Sequence, residues 1–155
     1  LYLGLDRVYE DQPHHQILMA DDYMWWTQTI NDNQDIPEDM AIYVRNSSIT
    51  DSTVAPKGKS WLYILVPVPN NLVQRDWKKI APEYREKVLD RIIQRTGMVD
   101  LRDHIEVETS ITPDDWEHHQ NVFLGGTFSL RHTLNHMLYL RPHNKQEKFS
   151  NLYLV

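Results

Sequence analysis

The sequence predicts an α+β fold, in which helices pack against a mixed or antiparallel sheet. Several short stretches are rich in β-branched and aromatic residues and end at turn-forming residues, as strands do. Other stretches carry the capping and proline signals at which helices begin. The chain has 155 residues, of which 41% are hydrophobic. A single domain of this size can bury a core, so we do not expect intrinsic disorder.

Strands are predicted at residues 1–5, 16–19, 41–44, 61–68, 104–111, 137–140 and 151–155. The stretch 61–68 is the candidate for a central strand, because apolar residues occupy both of its faces. Leu62 and Ile64 lie on one face, and Trp61 and Tyr63 lie on the other. Two prolines end this stretch, since proline cannot donate a hydrogen bond to a neighbouring strand.

The stretch 104–111 is predicted to be a half-buried strand. Ile105 and Val107 alternate with Glu106 and Glu108. Because successive side chains of a strand point to opposite faces, we expect the apolar residues to face the core and the two carboxylates to face water.

Three helices are predicted: one that ends near residue 30, one over residues 82–96 and one from residue 112 to about residue 121. Asp21 or Asp22 caps the first helix, because an Asp oxygen can accept hydrogen bonds from the first free N–H groups. Pro82 is placed in the first turn of the second helix, where its missing N–H has no consequence, and Gly97 ends that helix. Thr112 begins the third helix and is followed by a proline and two acidic residues.

The composition excludes several classes of function. The formal net charge is −6, and no basic cluster is present that could bind a phosphate backbone. We therefore expect no nucleic-acid partner. The absence of cysteine excludes disulfides, thiolate zinc sites and a cysteine nucleophile.

The chain has eight histidines, a residue type that often binds metals. His132 and His136 are four residues apart, as on one face of a helix, but no third ligand follows from the sequence. His14 and His15 are adjacent and are expected to point in different directions. We therefore predict no metal site.

No short motif assigns a reaction by itself. The nucleophile elbow G-x-S-x-G and the phosphate loop G-x-x-x-x-G-K-[ST] are both absent from the sequence, and Gly125-Gly126 is too short for a dinucleotide fingerprint. The aromatic residues Trp25-Trp26, Trp61 and Tyr63 suit the walls of an apolar pocket. Packing in the core is the alternative for each of them.

Six groups of residues nevertheless follow one another in an order that resembles a known family. They are Leu1–Leu5 with Asp6 and His14-His15; Ser48-Ile49-Thr50-Asp51-Ser52 with Ala55-Pro56 and Gly58; Tyr63-Ile64-Leu65-Val66-Pro67-Val68-Pro69; Thr112-Pro113 with Asp115, and Gly125 with Phe128-Ser129; Arg141-Pro142-His143-Asn144; and Asn151-Leu152-Tyr153-Leu154-Val155. In this order they resemble the bacterial-type carotenoid desaturases. These are the phytoene and diapophytoene desaturases of the amine-oxidase-like flavoprotein superfamily.

The resemblance implies an FAD-dependent oxidoreductase that introduces double bonds into a long polyene in carotenoid biosynthesis. The flavin removes a hydride, and the adjacent carbon loses a proton. The chain would be a segment of the C-terminal half of a longer protein, of the type with two dinucleotide-binding domains. Residues 1–150 would belong to the substrate-binding region, and residues 151–155 would begin the strand that returns to the FAD-binding domain. No FAD-binding residue is expected within the chain.

The resemblance also suggests site residues. Arg141 and His143, in the turn before the last predicted strand, are the candidates for residues near the flavin ring. The alternative is that Pro142 shapes this turn and that Arg141 holds it through a salt bridge. Candidate substrate-binding residues are Trp61, Tyr63, Gly125 and Phe128.

Three questions remain open from the sequence. The family also includes related isomerases, oxygenases and saturases, and a non-catalytic lipid-binding or oligomerisation module is the alternative from another class. The length of the polyene, C30 or C40, is undetermined. We expect a cytoplasmic location, and peripheral contact with a membrane is the alternative. We also expect the chain to self-associate if the apolar surface of this segment is uncovered.

Overall fold

In the part of the chain that the structure describes, an antiparallel sheet and three α-helices form the fold. A computed structural model describes residues 1–32, 35–128, 133–146 and 148–153. The strands are β1 (Tyr2–Leu5), β2 (His15–Leu18), β3 (Ile42–Asn46), β4 (Ser60–Leu65) and β5 (Ile105–Thr109). The helices are α1 (Tyr23–Asn31), α2 (Trp77–Arg95) and α3 (Pro113–Gln120). The strand order is β2-β3-β4-β1-β5, and every pair is antiparallel. The α+β prediction is confirmed.

The core lies between one face of the sheet and α2. Most of its buried side chains come from the three inner strands and from one side of α2: Leu3, Leu5, Ile42, Val44, Leu62, Ile64, Val88, Leu89 and Ile92. The connecting segments add Tyr9, Met40, Met98 and Leu101. The strand β4 is central, as predicted, and it ends at Leu65 instead of residue 68. Pro67 and Pro69 cannot donate ladder hydrogen bonds, which accounts for the earlier end.

The predicted orientation of β5 is confirmed at Ile105, which packs against the core, and is wrong from Val107 onwards. Val107 is 65% exposed and lies opposite Gly4, on the sheet face away from α2. Glu108 lies on the face that α2 covers, where it forms an ion pair with Arg85. A register shift between Gly4 and Leu5 leaves Glu106 as the extra residue of a bulge, which reverses the faces of the residues beyond it.

The caps of α1 and α3 are confirmed. The Asp22 side chain accepts a hydrogen bond of 2.9 Å from the Trp25 amide. Thr112 and Asp115 cap the start of α3 by bonding each other's backbone N–H.

The start of α2 is not where the sequence predicts it. The helix begins at Trp77, so Pro82 lies in its interior and not in its first turn. The prediction failed because proline is common in the first turn of helices. Here the helix begins five residues earlier and lacks the one hydrogen bond that a backbone N–H at position 82 would donate. The helix ends at Arg95, followed by an extended Thr96 before Gly97.

The strand predicted at residues 137–140 is also wrong. Leu138–Leu140 forms a 3₁₀ turn, and Leu134–His136 forms another. A strand needs a partner, and between Thr133 and Tyr153 the described residues pair only at Lys145 and Tyr153. Of the strand predicted at residues 151–155, Leu154 and Val155 lie outside the described residues.

Candidate functional site

A row of aromatic rings crosses the sheet face that points away from α2. Tyr2 of β1 contacts Tyr63 of β4, with ring centroids 5.1 Å apart, and Tyr63 contacts Tyr43 of β3 at 6.1 Å. Tyr43 stacks with His15 of β2 at 5.9 Å. We call these four residues the aromatic row. The three tyrosines alternate with core residues along their strands, so their place on the opposite face follows from the pleat. Trp61 lies on the same face, opposite Gly4.

The aromatic row leads into a cleft of about 1080 Å³ at the end of β4. This volume is slightly above the range of about 300–1,000 Å³ typical of ligand pockets. Most of the residues that line the cleft are apolar. Many of them come from the aromatic row, from the segment after β4, from α2 and from the region around α3. They include Tyr2, Tyr63, Leu65, Val66, Val68, Leu72, Trp77, Pro113, Trp116, Gly125 and Phe128. The site is therefore a mostly apolar track formed by a cleft and a sheet face, which also carries Arg45 opposite Tyr63.

The structure brings together three of the four predicted substrate-binding residues. Tyr63, Gly125 and Phe128 line the cleft, and Trp61 lies beside the aromatic row but outside the cleft. The role of these residues in binding stays a prediction. The tryptophans of α1 are not among the described residues that line the cleft.

Gly125 has a packing role of its own. Its φ is +65°, and a Cβ atom added there would lie 2.3 Å from the carbonyl oxygen of Pro113. A real Cβ atom cannot approach an oxygen so closely, so only glycine allows this turn to pack against the start of α3.

The sequence did not single out Tyr2, Tyr43 or Trp77. Tyr2 and Tyr43 alternate with buried Leu3 and Val44, so their shared face could have been found once the strand order was known. Trp77 was missed because the predicted helix began five residues too late.

A group of polar side chains lies at the β2 end of the aromatic row. We call it the polar cluster, and it consists of His14, His15, Arg45 and Thr50. The rings of His14 and His15 are 4.2 Å apart, so the prediction that they point in different directions is wrong. His14 precedes β2, where strict alternation does not apply. His15 shares a hydrogen bond of 2.7 Å with the Tyr43 hydroxyl, and His14 shares one of 2.7 Å with Thr50. Two of the family-like groups of residues thus meet here.

The polar cluster favours the neutral form of His14. Partial burial, and then the neighbouring His15 and Arg45, lower the pKa of His14 below its ordinary value. Arg45 donates a hydrogen bond of 3.3 Å to Nε2 of His14, which accepts it only in the neutral form. The proton of His14 is then on Nδ1, from which it is donated to the Thr50 hydroxyl.

Arg141 and His143 are both exposed, and neither is among the described residues that line the cleft. Within the described part of the chain, Arg141 forms no ion pair. Both the catalytic assignment and its structural alternative stay predictions.

The described residues contain no group of three or more metal-ligating side chains, and His132 lies outside them. Nor do the three helix starts fit the phosphates of a dinucleotide, which need free N–H groups at a helix N-terminus. Asp22 and Asp115 already accept hydrogen bonds at the starts of α1 and α3, and Asp76 places a carboxylate at the start of α2. These residues therefore do not provide the phosphate site of FAD.

Comparison with known proteins places these features in context. No established family profile matches the chain. It is 49% identical to a 4,4'-diapophytoene desaturase (4,4'-diapolycopene-forming) of a Methylomonas species, over the whole chain and 30% of that protein. It is 36% identical to the all-trans-zeta-carotene desaturase of Myxococcus xanthus, over 99% of the chain and 29% of that protein. The chain is homologous along its whole length to carotenoid desaturases.

Not every relative is named for desaturation. The chain is 37% identical to the 4,4'-diapolycopen-4-al dehydrogenase of Metabacillus indicus, over 99% of the chain and 30% of that protein. The chain thus spans about a third or less of the length of these carotenoid desaturases and their relatives. None of the described helices is long and apolar enough to cross a membrane.

Proposed function

We propose that this chain forms the polyene-binding part of an FAD-dependent desaturase that introduces double bonds into a carotenoid precursor such as diapophytoene or phytoene. Residues 1–150 belong to the substrate-binding region, and residues 151–155 lead to the FAD-binding domain of a protein with two dinucleotide-binding domains. The observation that carries the proposal is the aromatic row that continues into the apolar cleft.

The chemistry of a polyene explains why this track suits it. A hydrocarbon chain has no group that can form a directed hydrogen bond, so shape and burial must hold it, at about 25 cal/mol for each Å² removed from water. Rigid aromatic side chains provide such contact area with little loss of conformational entropy. The rings of Tyr2, Tyr63 and Tyr43 come from three neighbouring strands, so they form an extended contact surface in which adjacent rings are tilted by 47° and 70°.

FAD supplies the hydride acceptor when it is bound, and we propose that parts of the protein beyond these residues bind its phosphates. The role of this chain is to hold the polyene in one register and to keep water away from it. Arg141 and His143 remain our candidates for residues near the reacting centre, from the likeness of their turn to the family.

The exposed apolar surface supports a proposal about partners. Met24 and Trp25 of α1 are 66% and 46% exposed, and Leu138 and Tyr139 are 85% and 94% exposed. Isolated soluble domains seldom expose so many large apolar groups together. We propose peripheral contact of the full-length protein with a cytoplasmic membrane surface, where its hydrocarbon substrate dissolves, and self-association of the chain when it is isolated.

The test is conversion of phytoene and of diapophytoene by the full-length protein supplied with FAD, followed by the absorption of the longer conjugated product. We expect Tyr43→Ala and Tyr63→Ala to lower kcat/KM about tenfold or more, because each removes a ring from the track. Phe149→Ala, which removes an exposed ring outside the row and the cleft, is the matched control and should have little effect. No conversion of either polyene would contradict the proposal.

A further inference from the structure

The side chain of Asn71 joins the cleft walls around α3. It is 2% exposed, and its amide group donates to Oδ1 of Asp114 at 3.0 Å and to Oε2 of Glu117 at 2.7 Å. Its oxygen accepts a hydrogen bond of 3.0 Å from the indole Nε1 of Trp77. One amide therefore connects the first residue of α2 to two residues of α3.

The main chain of Asn71 adds a third connection. Its N–H donates to the carbonyl of Leu124 at 2.9 Å, and its own carbonyl accepts from the side chain of Gln74 at 3.2 Å. Leu124 directly precedes Gly125, which lines the cleft. Every polar atom of Asn71 is thus engaged, as a buried polar residue requires.

Asn71 is not among the described residues that line the cleft, although Asn70 and Leu72 on either side of it are. It lies behind the wall of the cleft. Its hydrogen bonds fix the distances between three parts of that wall, which are the segment after β4, the first residue of α2, and helix α3. The buried core cluster between the sheet and α2 includes neither Asn71 nor Trp77. Trp77 is nevertheless buried, with 4% of its surface exposed, so the hydrogen bonds of Asn71 act together with the packing of Trp77 in holding these walls.

We infer that Asn71 is a positioning residue, which sets the width of the cleft and so determines which polyene chains it holds and in which register. The inference rests on the proposed function. A substrate without polar groups is recognised by shape alone, and a wall displaced by about 1 Å can lower the rate about a hundredfold. A change at Asn71 then alters binding although Asn71 does not contact the polyene.

The experiment compares Asn71→Ala with Asn46→Ala in the full-length protein. Asn46 is a matched control because it is also a buried asparagine, 1% exposed, whose amide donates to the Tyr9 carbonyl at 3.0 Å in the core and away from the cleft. Both variants should lower Tm. Only Asn71→Ala should raise KM for the converted polyene, by about tenfold, and change the ratio of kcat/KM for diapophytoene and phytoene.

A second pair of variants avoids the buried site. Glu117 is half-buried on α3, so Glu117→Leu breaks the 2.7 Å hydrogen bond without endangering the fold. We expect it to raise KM in the same direction, by about threefold. Glu117→Gln keeps an oxygen that can accept from Asn71, and it should restore a KM close to that of the unmodified protein.

The outcomes separate this inference from the proposed function. If Asn71→Ala changes KM no more than Asn46→Ala does, Asn71 is merely structural and the inference is wrong. If the protein converts neither polyene, the proposed function fails, and hydrogen exchange of the ligand-free protein decides on positioning. If Asn71→Ala speeds hydrogen exchange at residues 112–126 and leaves exchange in the sheet unchanged, the positioning role of Asn71 is supported. If exchange at residues 112–126 is unchanged, the positioning role is wrong.

Discussion

At the scale of the residue, the glycine at position 125 illustrates how much a single missing atom contributes. The left-handed backbone of Gly125 and its contact with Pro113 both depend on the absence of a Cβ atom. Gly58 offers a comparison, because its φ is +79° but nothing lies within 4 Å of the position of a Cβ atom. The two glycines separate the cost of the backbone conformation from the cost of the contact.

We therefore expect Gly58→Ala to lower the free energy of unfolding by about 1–2 kcal/mol, the cost of the left-handed conformation for a residue with a Cβ atom. Gly125→Ala should lower it by a further 1–3 kcal/mol or so, because the new atom overlaps Pro113. Urea unfolding of both variants measures the difference. Equal losses would show that the turn and α3 do not pack as described.

His104 gives stability a dependence on pH. A hydrogen bond of 2.7 Å with Asp6 raises the pKa of His104, partial burial opposes this, and a second hydrogen bond with Asp100 raises it further. Because the pKa is higher in the folded state, the added stability is fully present below the unfolded value of about 6.5 and is lost as the pH rises through the raised value.

Unfolding measured between about pH 5 and pH 9 for the chain and for His104→Gln tests this effect. The stability difference should be largest at the acidic end and should shrink towards the alkaline end. His118→Gln, an exposed histidine on α3, provides the control. A difference that grows with pH would contradict the assignment.

Residue-level geometry was the hardest part to predict from the sequence. Tyr63, Gly125 and Phe128 were selected from the sequence, and they meet at one cleft. The side-chain contacts of Asn71 could not have been selected from the sequence, because the partners of that side chain are 6 to 46 residues away. A buried asparagine also has the same sequence signature as an exposed one.

At the scale of the element, helix α2 shows how a strong local signal can mislead. Pro82 is exposed and lies in the interior of the helix, where its ring removes the hydrogen bond to the carbonyl of Lys78. Pro82→Ala should therefore stabilise the protein, by about 1–3 kcal/mol. Thermal unfolding measures the change. If the helix began at Pro82, the substitution would bring no gain, since the first N–H of a helix has no partner within it.

The elements that the sequence predicted well are those whose signals are local. The caps of α1 and α3 depend on residues three apart, and the alternation of β4 depends on its own side chains. The bulge that turns Val107 outwards depends on how β5 pairs with β1, about 100 residues away, so the sequence pattern of β5 alone could not reveal it.

At the scale of the whole molecule, the sheet has two faces with different roles. One face packs against α2 and forms the core, and the other carries the aromatic row. The sequence predicted a central strand that is apolar on both faces, so we expect both faces of the sheet to be covered by apolar groups. It could not predict the row itself, because that depends on the order of four strands.

Apolar surface at this scale leads to a prediction for the isolated chain. We expect it to self-associate or to bind a hydrophobic dye, because the exposed side chains of α1 and of residues 134–140 lack cover within the described part of the chain. Light scattering combined with dye fluorescence measures both properties. A monodisperse monomer without a dye response would contradict the expectation.

The most direct test of the central claim is to locate a bound polyene on the full-length protein. A C30 hydrocarbon that carries a photoactivatable diazirine would be bound, irradiated and mapped by mass spectrometry. Our account predicts labels on peptides that contain Tyr43, Tyr63 and residues 123–128. It also predicts that unmodified diapophytoene competes with the diazirine hydrocarbon for the site and so reduces this labelling. Labels confined to other parts of the protein, with the aromatic row and the cleft unmodified, would contradict it.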